Sequence, residues 1–578
     1  MVVVHRRAAG GTGASPRRDD PPGPLGRAPS VPSDPQGVAV GETVSAPATR
    51  AGTAPRTVLL TLASAQFLMT LDTSVMNVSI ATVAHDVGTT VTGIQAAITL
   101  YTLVMASLMI TGGKVGELLG RKRAFAIGCV IYGAGSFTTS LAPTLPVLIV
   151  GWSFLEGIGA ALILPAIVAL VAANFAQPDR PRAYGLVAAS AAIAVAVGPL
   201  IGGLMTTYAS WRWVFAGEVV LVAGILLLVR RVNDVRRERA GRLDVGGTVL
   251  STLGLSLAVL GILQAGSWGF VNPKPGAPSI MGLSPAIWLV VLGGVVLRVF
   301  LSWERHRLAT GRTPLVDPGM LANKVLRGGL TSFFFQYLLQ AGLFFVVPLF
   351  LSVSLGLSAI ATGLRIMPLS LTLLLAAVGV PRLFPRASPR RVVRVGFACL
   401  FLGIVLLLAL LEVGTGPEVV TWPLLLAGLG IGALASQLGA VTVSAVPDTR
   451  TGEVGGLQNT LTNLGASTGT ALAGAVLISV LTSSFLTGIQ NNPAVPAQVT
   501  AQAEVRLAAG APFISDAQLS QRLAEAGVDA PTSAAIMQEN TLARLDGLRW
   551  SLATLALLAL VALFLTDRIP DRQPGRSP

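Results

Sequence analysis

Asp72 is the residue of this sequence whose type and position most suggest chemistry. It lies in the middle of an apolar run from about Val58 to Ile80, and a run that long spans a bilayer. A charged side chain at mid-membrane costs several kcal/mol unless it faces a cavity or a partner. We therefore expect Asp72 to serve transport; the alternative is a hydrogen bond that only ties two helices together. Helical spacing places small, flexible and polar residues on its face, which suits a cavity wall: Ala65, Met69, Met76 and Ser79.

Other polar side chains inside apolar runs are further candidates for a cavity. Asn459 and Asn463 follow helical spacing in one run, where substrate contact and plain hydrogen bonding between helices are equally good explanations. The ninth apolar run carries a second set of polar side chains, Gln336, Tyr337 and Gln340. The full set of predicted cavity residues is Met69, Met76, Trp152, Gln336, Tyr337, Gln340, Asn459 and Asn463.

The composition restricts the class of protein. Hydrophobic residues make up 52% of the 578 residues and charged ones 12%, and the mean hydropathy is +0.71, which indicates an all-α polytopic membrane protein. The net charge of +14 does not point to nucleic acid, because the basic residues lie in short loops between apolar runs. Cys129 and Cys399 lie inside apolar runs and are expected to be buried hydrophobic residues. We expect no metal site and no cofactor.

The elements that must position these residues are fourteen apolar runs. An even number places both termini on one side, and the excess of Lys and Arg in alternate loops makes that side the cytoplasm. The first run is too long for a cleaved signal peptide, so it is expected to serve as the insertion signal. The runs cover about 58–80, 93–112, 124–141, 146–171, 184–207, 213–230, 246–266, 284–303, 328–353, 360–380, 393–412, 421–445, 457–484 and 549–566.

Short repeats indicate two related halves. The segment Gly157–Ala160 of the fourth run recurs as Gly430–Ala433 in the twelfth, and Arg212–Trp213 recurs as Arg549–Trp550. The halves are then runs 1–6 and 9–14, with two inserted runs between them. The predicted domains are a disordered cytoplasmic tail over 1–56, a six-helix bundle over 57–231, a basic linker with two inserted helices over 232–312, a second six-helix bundle over 313–568 that includes an extracellular loop at 485–548, and a cytoplasmic tail over 569–578.

The segment from Gly113 to Arg123 separates the second and third runs. Its glycines permit a tight turn, and Glu117 is expected near the start of the third helix, where the helix dipole favours an anion. By charge alone this is an ordinary cytoplasmic loop. Its spacing, however, resembles the signature Gly-x-Leu-Ala-Asp-Arg-x-Gly-Arg-Lys of the major facilitator superfamily, although Leu118 replaces the usual basic residue. The resemblance implies that superfamily's fold, here with fourteen transmembrane helices arranged 6+2+6, and a gating loop that includes Gly113, Glu117, Gly120, Arg121 and Lys122.

The fifth run carries a second motif, Ala194 to Gly203. Small residues let two helix backbones touch, and a mid-helix proline bends the helix, so the run suits a close-packed pivot. It resembles the antiporter motif Gly-x-x-x-Gly-Pro-x-x-Gly-Gly of the same superfamily, with Ala194 in place of the first glycine. The resemblance implies exchange of substrate against protons, with motif residues Gly198, Pro199, Gly202 and Gly203.

The stretch Leu71–Val78 is similar to a first-helix signature of the 14-helix drug/proton antiporter branch, in which Asp72 would be the protonatable carboxylate. That branch usually has Arg and Gln in the fourth helix where this chain has Ser153 and Glu156, and Asn where it has Glu218. We hypothesise that Glu156 shares proton coupling with Asp72 or takes it over, because buried neighbouring carboxyls favour bound protons, and Glu218 adds another acid to the proton-coupling set. The alternative for Glu156 is a structural hydrogen bond. Arg365 is either its counter-ion or reaches outward to the interface.

These features predict a proton-coupled efflux transporter of the bacterial inner membrane. It would export small hydrophobic or cationic compounds such as drugs or antibiotics by alternating access, and it would be monomeric, without cofactor or enzymatic activity. The small-molecule substrate, protons and the lipid bilayer are its expected partners, and the proton gradient is its energy source. The alternatives are an exporter of lipid-like or biosynthetic products, a membrane receptor or scaffold, and a hydrolase that uses the carboxylates, for which no catalytic constellation is present.

Overall fold

The computed structural model describes residues 55–89, 91–234, 243–274, 276–447, 450–507, 511 and 513–571. In this part of the chain the regular structure is helical, apart from one isolated bridge between Ile280 and Leu283. The all-α prediction is confirmed. Most of the predicted tail over 1–56, part of the basic linker (235–242) and the end of the C-terminal tail (572–578) lie outside the described residues.

Seventeen α-helices carry the fold in this part of the chain. A π-helical segment, Ile149–Glu156, joins α4 to α5, and a second one, Phe350–Ser354, follows α10. The helices are α1 Pro55–Asp86, α2 Val91–Leu119, α3 Arg121–Ser140, α4 Leu145–Leu148, α5 Gly157–Asn174, α6 Arg180–Tyr208, α7 Arg212–Val229, α8 Val245–Trp268, α9 Pro285–Ala309, α10 Lys324–Leu349, α11 Ala359–Leu383, α12 Pro389–Leu410, α13 Thr421–Ser444, α14 Thr451–Asn491, α15 Ala497–Leu507, α16 Asp516–Glu525 and α17 Ala530–Phe564.

Thirteen helical stretches of the described chain are long and apolar enough to cross a membrane. The one predicted run that is not among these thirteen is the third, 124–141; it forms α3, which has 20 residues but is rich in glycine, serine and threonine. At 1.5 Å per residue its length is about 30 Å, which matches the bilayer core. Its low hydropathy is the reason that the count of fourteen stays a prediction.

The helices of each predicted half pack mainly on one another. In the first half α1 lies along α6, and α3 packs on α5 and α7. In the second half α10 lies along α14, and α13 packs between α11 and α12. The inserted pair α8 and α9 pack together, and α8 contacts both α2 and α14, so it lies at the seam between the halves.

The predicted extracellular loop at 485–548 is largely helical. Helix α14 continues to Asn491, and α17 begins at Ala530 rather than near residue 549. The extensions are stabilised by an apolar cluster that includes Phe485, Ile489 and Ile536. Helix α16 also lies in this segment, and its capping box joins Ser515 to Gln518.

Candidate functional site

Three helical elements bring three carboxyl groups together inside the first half. Asp72 comes from α1, Glu156 from the end of the first π-helical segment and Glu218 from α7, and each is at most 1% exposed. One carboxylate oxygen from each of the three lies within 4.8 Å of the other two. Among the described residues no Lys, Arg or His forms an ion pair with them, and the partly exposed Arg365 does not pair with Glu156. We call this set the acid cluster.

The acid cluster is held by neutral hydrogen-bond donors. Trp152 Nε1 donates to both oxygens of Asp72, at 2.8 and 3.0 Å. Ser136 Oγ donates to Glu218 Oε2 at 3.1 Å, and Thr139 Oγ1 donates to Glu156 Oε1 at 3.4 Å. The second oxygens, Glu156 Oε2 and Glu218 Oε1, have no hydrogen-bond partner among the described residues. The cluster therefore retains free capacity for protons.

The π-helical segment Ile149–Glu156 positions two of these residues, Trp152 and Glu156. Single π-helical turns are rare and occur often at functional sites. Helix α3 approaches this segment at Gly135, where an added Cβ would lie 2.6 Å from Glu156 Cγ. On the other side Ser153, which stands where the family's arginine is usual, donates to the carbonyl of Ala97 in α2 at 2.8 Å.

The same three carboxyls could also hold a cation, because oxygen ligands suit hard metal ions. The expectation of no metal site stays a prediction. The three residues lie on separate runs far apart in the chain. Only the packing of α1, α7 and the π-helical segment brings them together.

The antiporter motif of α6 faces the helix that carries Asp72. A Cβ at Gly198 would collide with the side chain of Ser74, and one at Gly202 would lie 3.2 Å from the Cα atom of Val75. A Cβ at Gly203 would meet no atom of the described residues within 4 Å. Pro199 lies inside α6, with its side chain outside the described part. Two motif glycines thus allow close contact between α6 and α1 next to Asp72.

The predicted gating loop is shorter than expected. Helix α2 continues to Leu119 and α3 begins at Arg121, so the turn consists of Gly120, whose φ of +98° favours glycine. Glu117 therefore lies in the last turn of α2 and not at the start of α3, which corrects the expectation. Gly113 also lies in α2, close to the carbonyl oxygen of Gly452 in the second half.

A charge network joins the two halves at this end. Lys114 Nζ lies 3.0 Å from Glu117 Oε2 and 2.9 Å from Glu453 Oε1. Glu117 Oε1 accepts a hydrogen bond of 3.0 Å from the backbone N–H of Glu453, in the first turn of α14. The helix dipole that Glu117 meets is thus that of α14. Arg450 pairs with Asp317 beside it, and this hydrogen bond raises the pKa of Arg450 above its usual value.

Lys122, also in the predicted gating loop, binds the segment at the end of α7 and the start of the linker. Lys122 Nζ donates to the carbonyl of Arg230 at 2.9 Å, and its backbone N–H donates to Asp234 at 3.2 Å. Arg121 is 4% exposed at the start of α3. These contacts connect the α2–α3 turn to the segment that follows α7.

Two adjoining cavities, of about 480 and 610 Å³, lie between the halves. Both are lined by residues of α1, α6, α10, α13 and α14, and Leu263 of the inserted helix α8 lines the first. Of the predicted cavity residues, the first cavity is lined by Met69, Gln336, Tyr337, Asn459 and Asn463, and the second by Gln336, Tyr337 and Gln340.

Met76 and Trp152 do not line these cavities, which corrects two predicted positions. Both are buried in an apolar cluster of the first half. Trp152 instead stacks on Tyr101, with ring centroids 5.1 Å apart and an interplanar angle of 1°. Because Tyr101 lines the first cavity, the stacked pair lies between that cavity and Asp72.

Several residues of the site were not among those predicted. Tyr101 and Tyr132 are buried in α2 and α3, and Ser136 and Glu453 bind members of the site. A usable signal was present: of the 5 Tyr, Tyr101 and Tyr132 lie well inside apolar runs, away from the interfaces where tyrosine is common in membrane proteins. No sequence pattern predicted that Lys114 pairs with Glu453, because the two residues are distant in the chain.

Comparison with known proteins shows which family this chain resembles. Residues 62–470 match the family model of the Major Facilitator Superfamily. The chain is 33% identical over 450 residues to the puromycin resistance protein pur8 of Streptomyces alboniger, which covers 75% of this chain and 84% of that protein. It is 30% identical over 421 residues to the cephamycin export protein CmcT of Amycolatopsis lactamdurans, covering 72% and 84% respectively.

The human organic anion transporter MFSD10 has a similar fold, with a TM-score of 0.55 over 89% of this chain and all of that one. At 13% identity this likeness concerns the fold alone. The family match extends over most of the chain, and the alignments with the two relatives cover most of the length of each relative. The protein is therefore a multi-pass membrane protein that belongs to the Major Facilitator Superfamily.

Proposed function

We propose that this protein exports small organic compounds across a bacterial cytoplasmic membrane in exchange for protons. The relatives named for puromycin resistance and cephamycin export support the transport of such compounds. The superfamily consists of transporters. The same proposal has four further parts. The chain has no enzymatic activity, needs no cofactor, functions as a monomer and keeps both termini in the cytoplasm.

The acid cluster is the observation that carries the proton-coupling part. Three buried carboxyls, with one oxygen of each within 4.8 Å of the others and no paired cation among the described residues, cannot all be ionised at little free-energy cost. Binding of protons relieves the repulsion between them. The cluster is therefore suited to take up protons in one conformation and to release them in the other, as a coupled set.

The stacked pair Tyr101 and Trp152 is the structural connection between cargo and proton. Tyr101 lines the cavity, while Trp152 donates to both oxygens of Asp72 and so stabilises its ionised form. A compound that moves Tyr101 would also move Trp152. Entry of substrate is thereby linked to the release of a proton from Asp72.

Alternating access requires that the two halves separate at one end at a time. The contacts between Lys114 and Glu453, and between Gly113 and Gly452, lie at the end predicted to be cytoplasmic. In this conformation that end is closed, as in an outward-facing state. We propose that protonation of the acid cluster favours opening of this network toward the cytoplasm.

The test is proton release induced by substrate in proteoliposomes. Chloramphenicol and tetraphenylphosphonium serve as an uncharged and a cationic trial substrate, and release is compared for wild type, Asp72→Asn and Glu156→Gln. We expect Asp72→Asn to abolish release, because it removes the carboxyl that Trp152 contacts. Glu156→Gln should reduce it strongly, since one of the three interacting acids is lost.

Glu525→Gln is the control, because this glutamate is exposed on α16 and distant in sequence from the acid cluster. It should behave as wild type. Unchanged release and unchanged transport in Asp72→Asn would refute proton coupling through this residue. Unchanged release in Glu156→Gln alone would restrict Glu156 to a structural role.

A further inference from the structure

The walls of the two cavities carry no charged side chain among the described residues. Their polar groups are amides and hydroxyls, and the rest is aliphatic or aromatic. Asp72, Glu156 and Glu218 do not reach the walls, because each is fully buried inside the first half. The stacked rings of Tyr101 and Trp152 separate Asp72 from the first cavity.

A cation would therefore lose its hydration in these cavities without meeting a carboxylate. The transfer of an unpaired charge from water into a site of low polarity is strongly unfavourable. The same reasoning applies to an anion, because no Lys or Arg lines either cavity in the described part of the chain. An uncharged molecule avoids both penalties.

The amides of the cavity indicate which polar groups such a molecule carries. Gln336 is 2% exposed, lines both cavities, and its Oε1 has no hydrogen-bond partner among the described residues. Asn459 Nδ2 and Asn463 Nδ2 donate to the backbone oxygens of Gly455 and Asn459, at 2.9 and 2.8 Å. Their side-chain oxygens remain as acceptors in the first cavity. A buried acceptor without a donor costs free energy, so a ligand that brings N–H or O–H groups is favoured.

We propose that the substrates of this transporter are uncharged, partly aromatic compounds with N–H or O–H donors, and that Gln336 is a specificity-determining residue. The inference rests on the proposed export function and narrows its substrate class. Cavities of several hundred Å³ suit drug-sized molecules, and their mixed aromatic and amide walls suit compounds that are themselves amphipathic.

The experiment measures accumulation driven by a proton gradient in inside-out vesicles that contain the full chain. Chloramphenicol and N-phenyl-1-naphthylamine are the uncharged probes, and both have an N–H donor. Tetraphenylphosphonium and ethidium are the permanent cations. We expect wild type to accumulate at least one uncharged probe, and neither cation above the level of Asp72→Asn.

Two variants of Gln336 test the physical reason. Gln336→Glu should accumulate a cation about tenfold above wild type, because a tenfold change needs only about 1.4 kcal/mol of added attraction. Gln336→Leu should lose transport of the uncharged probe without gaining a cation. Gln521→Glu, which adds the same charge on the exposed surface of α16, should match wild type for all four probes.

Accumulation of either cation by wild type at a rate equal to the uncharged probes would overturn the proposal, and so would failure of both uncharged probes. These wild-type results stand even if a Gln336 variant does not fold. A folded Gln336→Glu that gains no cation would also count against it. If an uncharged probe accumulates equally in Asp72→Asn, proton coupling through Asp72 is refuted while the substrate class is retained. If a cation accumulates only when Asp72 is present, the uncharged substrate class is refuted while proton coupling is retained.

Discussion

At the residue scale, the first half contains a carboxylate held by an indole. Trp152 Nε1 lies 2.8 and 3.0 Å from the two oxygens of Asp72, and both side chains are completely buried. Hydrogen bonds to a charged group are stronger than neutral ones, and they stabilise the ionised form. This single donor thus favours the state in which Asp72 has released its proton.

Trp152→Phe removes the donor and retains an aromatic ring that can stack on Tyr101. We expect proton release to slow by about tenfold, because a hydrogen bond to a charged group contributes about 1.5–3 kcal/mol. Substrate-induced proton release in proteoliposomes measures the effect. Trp303→Phe is the matched control, since Trp303 Nε1 donates in the same way to Asp244 at 3.0 Å, away from the acid cluster. Equal losses in both variants would show that the effect is not specific to Asp72.

At the element scale, α6 lies against α1 through glycines. Gly198 faces Ser74 and Gly202 faces Val75, so the helix that carries the antiporter motif touches the helix that carries Asp72. Close approach of two backbones requires small residues, and it makes the relative position of the helices sensitive to a single methyl group. A Cβ added at Gly203, one position further along, would meet no atom of the described residues within 4 Å.

Gly198→Ala and Gly203→Ala form a pair that tests this contact. The first places a methyl group against Ser74, and overpacking of this kind costs about 1–3 kcal/mol. The second adds a methyl group in open space and should be neutral or slightly stabilising, since alanine is the better helix former. Thermal unfolding in detergent and the rate of proton release measure both variants. The same loss at Gly203 as at Gly198 would contradict a role for the contact with α1.

At the scale of the whole molecule, the two halves are joined by a buried charge network. Lys114 binds Glu453 across the interface at 2.9 Å, and Glu117 binds the first turn of α14. When Glu453 is neutralised, Lys114 keeps Glu117 as its partner at 3.0 Å, so what is lost is the charge contact across the interface. This contact favours the conformation in which the two halves meet at this end.

Glu453→Gln should shift the population toward a conformation that is open at this end. Spin labels at Asp179 and Phe384, the exposed positions that border α6 and α11, report the separation of the halves after Cys129 and Cys399 are replaced. We expect a longer distance population to grow relative to the parent. Glu418→Gln, an exposed glutamate of the second half, should leave the distribution unchanged. An unchanged distribution in Glu453→Gln would mean that the ion pair does not hold this state.

Much of the architecture could be predicted from the sequence, because a bilayer demands long apolar helices and these are visible as runs. The all-helical class, the family and the position of Asp72 within its helix followed from composition and short motifs. The bounds of α17 and the path of α2 through Glu117 did not, since polar residues that pair within the fold resemble loop residues in the sequence. Arg544, for example, is 2% exposed and paired with Asp516.

The sequence determined that this is a membrane protein, where most of its helices lie, and that three acidic residues stand inside apolar runs, because hydropathy and charge are local properties. The tertiary structure decided which acids meet, that Trp152 donates to Asp72, and that Glu117 meets α14. These are contacts between residues far apart in the chain, and no local pattern records them. The uncharged cavity was decided in the same way, since burial of three carboxyls behind Tyr101 and Trp152 depends on how the helices pack.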